Sequence, residues 1–241
     1  MATYVLVHGA WHTGTELEAT GEAIRTVGHE VYCPTVAGNR PGETKDVGLE
    51  DAIGSIAQFL EDEGLADVIL TGHSYGGMII TGVCDRVPER IRRLVYVNAF
   101  VPNDGECLDD LTPPHYPPMF RQIAAASSDN TVALPYPVWR EVFINDADAD
   151  MAEASYAKLN AHPYRTFTDP ISLSRDPAEF ETPKSYVNCT EDTAMPHSHP
   201  WHPRLSEKLG LFRLVQTSGS HELLFTDPSA LADAIIRAGR D

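Results

Sequence analysis

Cysteine is scarce in this chain. Four thiols, Cys33, Cys84, Cys107 and Cys189, are spread over 241 residues with no C-x-x-C pair among them. That spacing argues against a thiolate zinc site, and a chain of this length needs no disulfide framework to hold a core. Positive charge is short as well: 18 Lys and Arg stand against 35 Asp and Glu, a formal net charge of −17. Such a field repels phosphate backbones and anionic headgroups, so nucleic acid and membrane surfaces are poor partners. It argues more weakly against polyanionic substrates, and it also serves plain solubility. No apolar run approaches the ~20 residues that span a bilayer. The N-terminus enters a strand-like "TYVLVH" with no basic leader or cleavage site ahead of it. A cytoplasmic location is therefore expected.

What remains is ordinary for a globular chain, 42% hydrophobic and 22% charged. It suffices for one α/β domain burying about 70% of its unfolded surface. Short β-branched runs at 4–8, 30–36, 68–70, 94–100, 185–190 and 212–217 alternate with helical patterns at 16–27, 47–63, 203–209 and from 228 onward. Strands apolar on both faces and separated by helices predict a parallel sheet covered on each side. Residues 101–183 break the pattern. They hold 11 of the 18 prolines and many aromatics, Phe120 and Trp139 among them, with helical patches near 137–144 and 150–160 and no strand run. Flexible linkers are poor in aromatics. The stretch reads as a helical cap inserted into a core made of 1–100 and 184–241.

The chemistry centres on "VILTGHSYGGMII", residues 68–80. An apolar strand must reverse sharply into a helix, and the residue at the apex is a serine fenced by Gly72 and Gly76. Glycines without a Cβ leave room for such a turn, and the serine is forced into a rarely occupied backbone region. The pattern predicts a nucleophile elbow presenting Ser74.

A serine hydroxyl is a weak nucleophile without a base, and the base needs a group that fixes its tautomer. On this architecture the partners follow in the order serine, acid, histidine. Of ten histidines, only His221 lies just after the last predicted strand and before the last helix, in "QTSGSHELLF". For the acid, Asp192 in "NCTEDTAM" follows the preceding strand, and its loop can reach the imidazole. Asp104, in "VPNDGE" after the strand ending at Phe100, is the rival, and Glu191 needs a different loop direction. Oxyanion donors are each worth about 10²–10³ in rate. The backbone N–H of Tyr75 supplies one, and the "HGAWHTG" loop supplies the other at Ala10, with Gly9 letting the backbone approach the substrate. His8, His12 and His73 sit at strand ends, where packing and hydrogen bonding are the expected roles. His197, His199 and His202 cluster in "HSHPWH", but the prolines among them spoil a regular metal geometry.

"LVHGAWH", "GHSYGG", "CTEDTAM" and "SGSHELL", in this order and spanning the chain end to end, resemble the α/β-hydrolase superfamily. More narrowly they resemble the branch of plant methyl-ester esterases, hydroxynitrile lyases and their bacterial relatives. The resemblance implies a parallel-sheet α/β-hydrolase fold with an inserted helical cap, a triad of Ser74, Asp192 and His221, oxyanion amides at Ala10 and Tyr75, and no cofactor or metal. The lyases of that branch carry a threonine in the first oxyanion loop and a lysine directly after the histidine. Gly9 and Glu222 stand at those positions here. A carboxylate beside a departing anion raises its barrier, so the pattern fits hydrolysis. The expected protein is a serine carboxylic-ester hydrolase. Its substrate is a small to medium apolar ester, aromatic ones included, held by Gly9, Trp11, His12, Phe120 and Trp139. The open alternatives are triad-dependent C–C bond or lactone hydrolysis, a lyase, and a ligand receptor on the same scaffold. The expected partner is a small-molecule ester, with a homodimer left open.

Overall fold

The computed structural model describes residues 1–240. Its centre is a six-stranded sheet of β1 (Thr3–Val7), β2 (Glu30–Tyr32), β3 (Val68–His73), β4 (Ile91–Val97), β7 (Lys184–Cys189) and β8 (Arg213–Thr217). The spatial order is β2-β1-β3-β4-β7-β8, and every neighbouring pair is parallel. Side chains alternate across the pleat. Val5, Val7, Val68, Leu70, Leu94 and Tyr96 face one layer, while Tyr4, Leu6, Ile69, Val95 and Val97 face the other.

The first layer is α2 (Leu49–Asp62) and α3 (Gly76–Arg86). Ile53, Ile56 and Leu60 recur at helical spacing along α2 and are fully buried, each stabilising the fold by roughly 1.5–3 kcal/mol. The second layer is α1 (Glu18–Thr26) and the closing helix Pro228–Gly239, which bury Ile24, Leu231 and Ile235. This is the doubly covered parallel sheet of an α/β-hydrolase fold. Among the described residues, no helix is long and apolar enough to cross a membrane.

Two expected strands end early. The run 30–36 pairs only through Tyr32, because Pro34 has no N–H to give a ladder. The run 94–100 leaves the sheet after Val97, where Asn98 turns to φ +36° and the Ala99 N–H goes to the Tyr186 hydroxyl at 3.0 Å.

Between β4 and β7 the chain forms short helices and a small antiparallel pair, β5 (Thr131–Val132) with β6 (His162–Pro163). The helix Tyr116–Ala126 was not apparent from sequence. Pro117 and Pro118 occupy its first turn, where no N–H is needed. The expected patch near 137–144 is a turn at Tyr136–Val138 continued as a wider one, closed by the Ile144 N–H donating to Trp139 O at 3.0 Å. The other patch is the helix Ala149–Tyr156.

Candidate active site

All the candidate groups emerge at the carboxyl ends of parallel strands, where an open α/β sheet leaves its crevice. At the end of β3, Ser74 is held at φ +54°. Its N–H donates to Val97 O at 3.1 Å, and its carbonyl accepts from Gly77 N at 3.0 Å and Phe100 N at 3.1 Å. The flanking glycines are sterically required. A Cβ on Gly72 would stand 2.5 Å from Gly76 O, and one on Gly76 would stand 2.7 Å from Val7 O. Tyr75 opens α3, so its N–H belongs to a first helical turn, where donors have no partner within the helix.

His221 follows β8, and Asp192 follows β7. His221 Nδ1 lies 2.6 Å from Asp192 Oδ2, with both side chains only 1% exposed. The other carboxylate oxygen accepts from Ala194 N at 2.7 Å. The imidazole is held on three sides. Trp201 stacks on it at 5.2 Å, Phe143 meets it edge-on at 5.3 Å, and the His73 ring lies 4.7 Å away. His73 Nε2 also lies 2.9 Å from His221 O, tying the residue before Ser74 to the histidine loop. Burial disfavours the imidazolium of His221, but the Asp192 carboxylate, with Glu222 behind it, outweighs burial and raises its pKa above the usual 6.5. His73 lacks such a partner, and burial pulls it down to about 3.

The rival acids lie elsewhere. Asp104 Oδ1 accepts from Leu173 N at 2.8 Å, while its own N–H donates to Asp176 at 2.9 Å. Glu191 is exposed, its N–H bonded to Gly219 O at 3.1 Å.

Ala10, Ser74 and Tyr75 border one narrow cavity, whose walls include Trp11, Phe120, Phe143, Phe167 and Trp201. Its lining is almost wholly apolar, and a hydrogen bond to a developing oxyanion is strong in such surroundings. Of the expected pocket residues, Trp11 and Phe120 border this cavity. Three other expected pocket residues do not. Gly9 lies against the elbow: a Cβ there would be 3.1 Å from Ser74 Cβ. His12 turns away from the apolar space because its ring has polar partners behind it, Ala10 O at 2.5 Å and Glu222 at 3.2 Å. Trp139 is fully buried with its indole N–H on Ala152 O at 3.1 Å, packed against His12 and Phe225 as core. Glu222 likewise departs from expectation: its carboxylate is 1% exposed and paired with His12, not on the cavity wall.

One contributing residue escaped the sequence reading. Asn98, fully buried at the end of β4, donates from Nδ2 to Asp192 Oδ2 and accepts the Cys189 N–H at 2.7 Å. The only signal was a lone polar residue closing an apolar strand. Among the described residues no group of three or more His, Cys, Asp or Glu side chains is placed to hold a metal ion. His202 Nδ1 is instead 2.7 Å from Ser206 Oγ.

Sheet order, elbow and helical layers together define a hydrolase scaffold, and the chain belongs to the alpha/beta hydrolase family, whose model matches residues 4–234. It is an enzyme of the carboxylesterase type. A carbendazim hydrolyzing esterase from Nocardioides sp. (strain SG-4G) is 34% identical, covering 99% of this chain and 100% of its own. Methylesterase 2 of Arabidopsis thaliana is 22% identical over 97% of this chain and 94% of its own. Among solved structures, an extracellular alpha/beta-hydrolase from a Paenibacillus species superposes with a TM-score of 0.96 at 36% identity, covering 100% of both chains. That protein is described as sharing structural and functional homology with tobacco salicylic acid binding protein 2.

Proposed function

We propose that this protein hydrolyses small to medium apolar carboxylic esters, aromatic ones included, through Ser74, His221 and Asp192 and an acyl-enzyme. One observation carries the reading. A serine at φ +54° borders an apolar cavity shared with Ala10 and Tyr75, and the residue before it is tied to a histidine whose Nδ1 is fixed by a carboxylate at 2.6 Å. With Nδ1–H donated to Asp192, His221 presents Nε2 as the base. It takes the Ser74 proton as Oγ attacks the ester carbonyl, and Asp192 stabilises the imidazolium that forms. The N–H groups of Ala10 and Tyr75 hold the tetrahedral oxyanion. His221 then returns the proton to the departing alcohol, and water, activated by the same nitrogen, releases the acid.

Trp11, Phe120, Phe143, Phe167 and Trp201 suit a flat or aromatic acyl or alcohol group. Segment 101–183 acts as the cap that shapes this space. A cytoplasmic location and independence of any cofactor belong to the same reading.

The test is turnover of a p-nitrophenyl ester series, an aryl methyl ester and carbendazim by the native protein and Ser74→Ala. Multiple turnovers by the native protein, with Ser74→Ala slower on the order of 10⁴-fold or more, support the reading. Equal, slow rates in both proteins refute ester hydrolysis.

A further inference from the structure

The "HGAWH" run holds two histidines that the acyl-transfer steps leave without a task, and each holds one peptide of the loop between them. His8 Nε2 accepts the Val36 N–H at 3.0 Å, which puts the proton on Nδ1, 2.8 Å from Gly9 O. Burial keeps that ring neutral, its pKa pulled down to about 3. The Gly9 carbonyl shares a rigid peptide plane with the Ala10 N–H, so His8 sets the direction of that donor. His12 takes the next peptide. Its Nδ1 lies 2.5 Å from Ala10 O and its Nε2 lies 3.2 Å from Glu222 Oε2. Glu222 Oε2 stands at ion-pair distance from Nε2 without being aligned for a hydrogen bond. Its buried charge, together with the Ala10 carbonyl on Nδ1, favours the imidazolium.

Glu222 follows His221 directly, so this pair bridges the oxyanion loop and the base loop. We propose that the buried His12–Glu222 ion pair is a positioning pair that holds the Ala10 carbonyl, and through it the loop carrying the Ala10 N–H, in place relative to His221. The inference rests on the ester-hydrolase reading of Ser74 and Ala10. The charged or titratable groups that act on His12 besides Glu222 are Glu16 on the following turn, His73 on the elbow strand, His221 on the base loop, His8 on its own loop and His162 on β6. His8, His73 and His162 are kept neutral by burial. Trp139 and Phe225 close the remaining sides. Glu222 is thus the ion-pair partner within reach.

Deprotonating His12 leaves the buried Glu222 carboxylate without its counter-charge. The rate should then fall on the alkaline side, after its rise with deprotonation of His221. Replacing Glu222 by glutamine keeps an acceptor but removes the charge that holds the His12 proton. The falling limb should move to lower pH.

The experiment measures kcat and KM for p-nitrophenyl acetate across pH in native protein and Glu222→Gln, with fluorophosphonate labelling of Ser74 and ¹⁵N NMR of the native histidines. The expected result is a kcat lower by roughly tenfold with KM within about twofold, part of what a whole oxyanion donor supplies. The falling limb moves acidward, labelling slows, and native His12 carries protons on both ring nitrogens at neutral pH. A neutral His12 in the native spectrum overturns the proposal whatever the variant does. So does a folded Glu222→Gln with native kcat and pH profile, or one that loses thermal stability alone. A native protein that fluorophosphonate does not label removes the hydrolase reading, and the proposal with it. A native protein that labels, beside a Glu222→Gln that labels equally fast, overturns the positioning role alone.

Discussion

Asn98→Ala is the perturbation with the largest consequences outside the proposed triad. Asn98 is fully buried, and its amide serves two masters: Oδ1 takes the Cys189 N–H at 2.7 Å, and Nδ2 donates to Asp192 Oδ2. Truncation leaves the Cys189 N–H without a partner in a dry interior, at about 1–3 kcal/mol. It also removes a charge-assisted bond to a carboxylate, at about 1.5–3 kcal/mol. Alanine at φ +36° adds backbone strain, of order 1 kcal/mol. Partial relaxation brings the expected total to about 3–5 kcal/mol, a large share of a typical domain's stability. Asn98→Gly, free of that strain, should recover about 1 kcal/mol. Asp192 keeps the Ala194 N–H at 2.7 Å and His221 at 2.6 Å. The base is therefore loosened, not lost, and kcat should fall roughly tenfold, equivalent to about 1.4 kcal/mol. Urea unfolding at constant m gives the first quantity, and p-nitrophenyl ester turnover gives the second. A loss under about 1 kcal/mol with kcat inside twofold of native would refute the account of Asn98 as the residue that seats Asp192.

Gly76→Ala puts a Cβ 2.7 Å from Val7 O and 2.9 Å from His8 O. It should cost about 3 kcal/mol or more in thermal unfolding, since backbone must move, and an unchanged Tm counts against the steric reading of the elbow. The ester rate should rise with pH through a midpoint above 6.5, because Asp192 outweighs burial in raising the His221 pKa. A flat profile between pH 6 and 8, with chemistry limiting, contradicts it. His8 and His73 sit near pKa 3 in the fold, against about 6.5 unfolded. Their contribution is present above pH 6.5 and lost as pH falls toward 3, about 2 kcal/mol each by pH 5. The raised values of His12 and His221 add stability as pH falls from 7 and level off once the unfolded histidines are protonated below about 6.5, so they offset only part of that loss. Urea midpoints at pH 7 and pH 5 should differ accordingly, and equal midpoints refute the neutral buried histidines.

The sheet was legible because its strands are continuous apolar runs, and the elbow because only glycine fits beside a reversal that tight. The nearness of Asp192 to His221 follows from chain order, since β7 and β8 are neighbours and their loops leave the same edge. Where the reading failed, the deciding contact joins residues far apart in sequence. His12 looked like pocket lining, yet its orientation is decided by Glu222, a residue more than 200 positions away. Phe120 and Trp139 are both aromatics of the 101–183 stretch, and only the packed structure separates wall from core. Asn98 hid inside an apolar run, and the pairing of β5 with β6 is too short for any periodicity to reveal.

Trp11 carries a consequence for how such an enzyme changes over evolutionary time. At φ +65° it projects its indole N–H onto Val132 O at 2.9 Å, while its carbonyl takes two bonds from Asn160, at 2.9 and 2.8 Å. Its N–H meets His162 Nδ1 at 3.4 Å. The residue next to the Ala10 amide is thus laced to the 101–183 segment that the proposed reading makes the substrate-shaping cap. Selectivity and speed then share hardware. On that reading, a substitution in this segment that admits a new ester also tugs on the proposed oxyanion loop, so new substrates arrive together with altered turnover. Adaptation should find its freest positions on the walls not tied to Trp11, such as Met195 and Leu108.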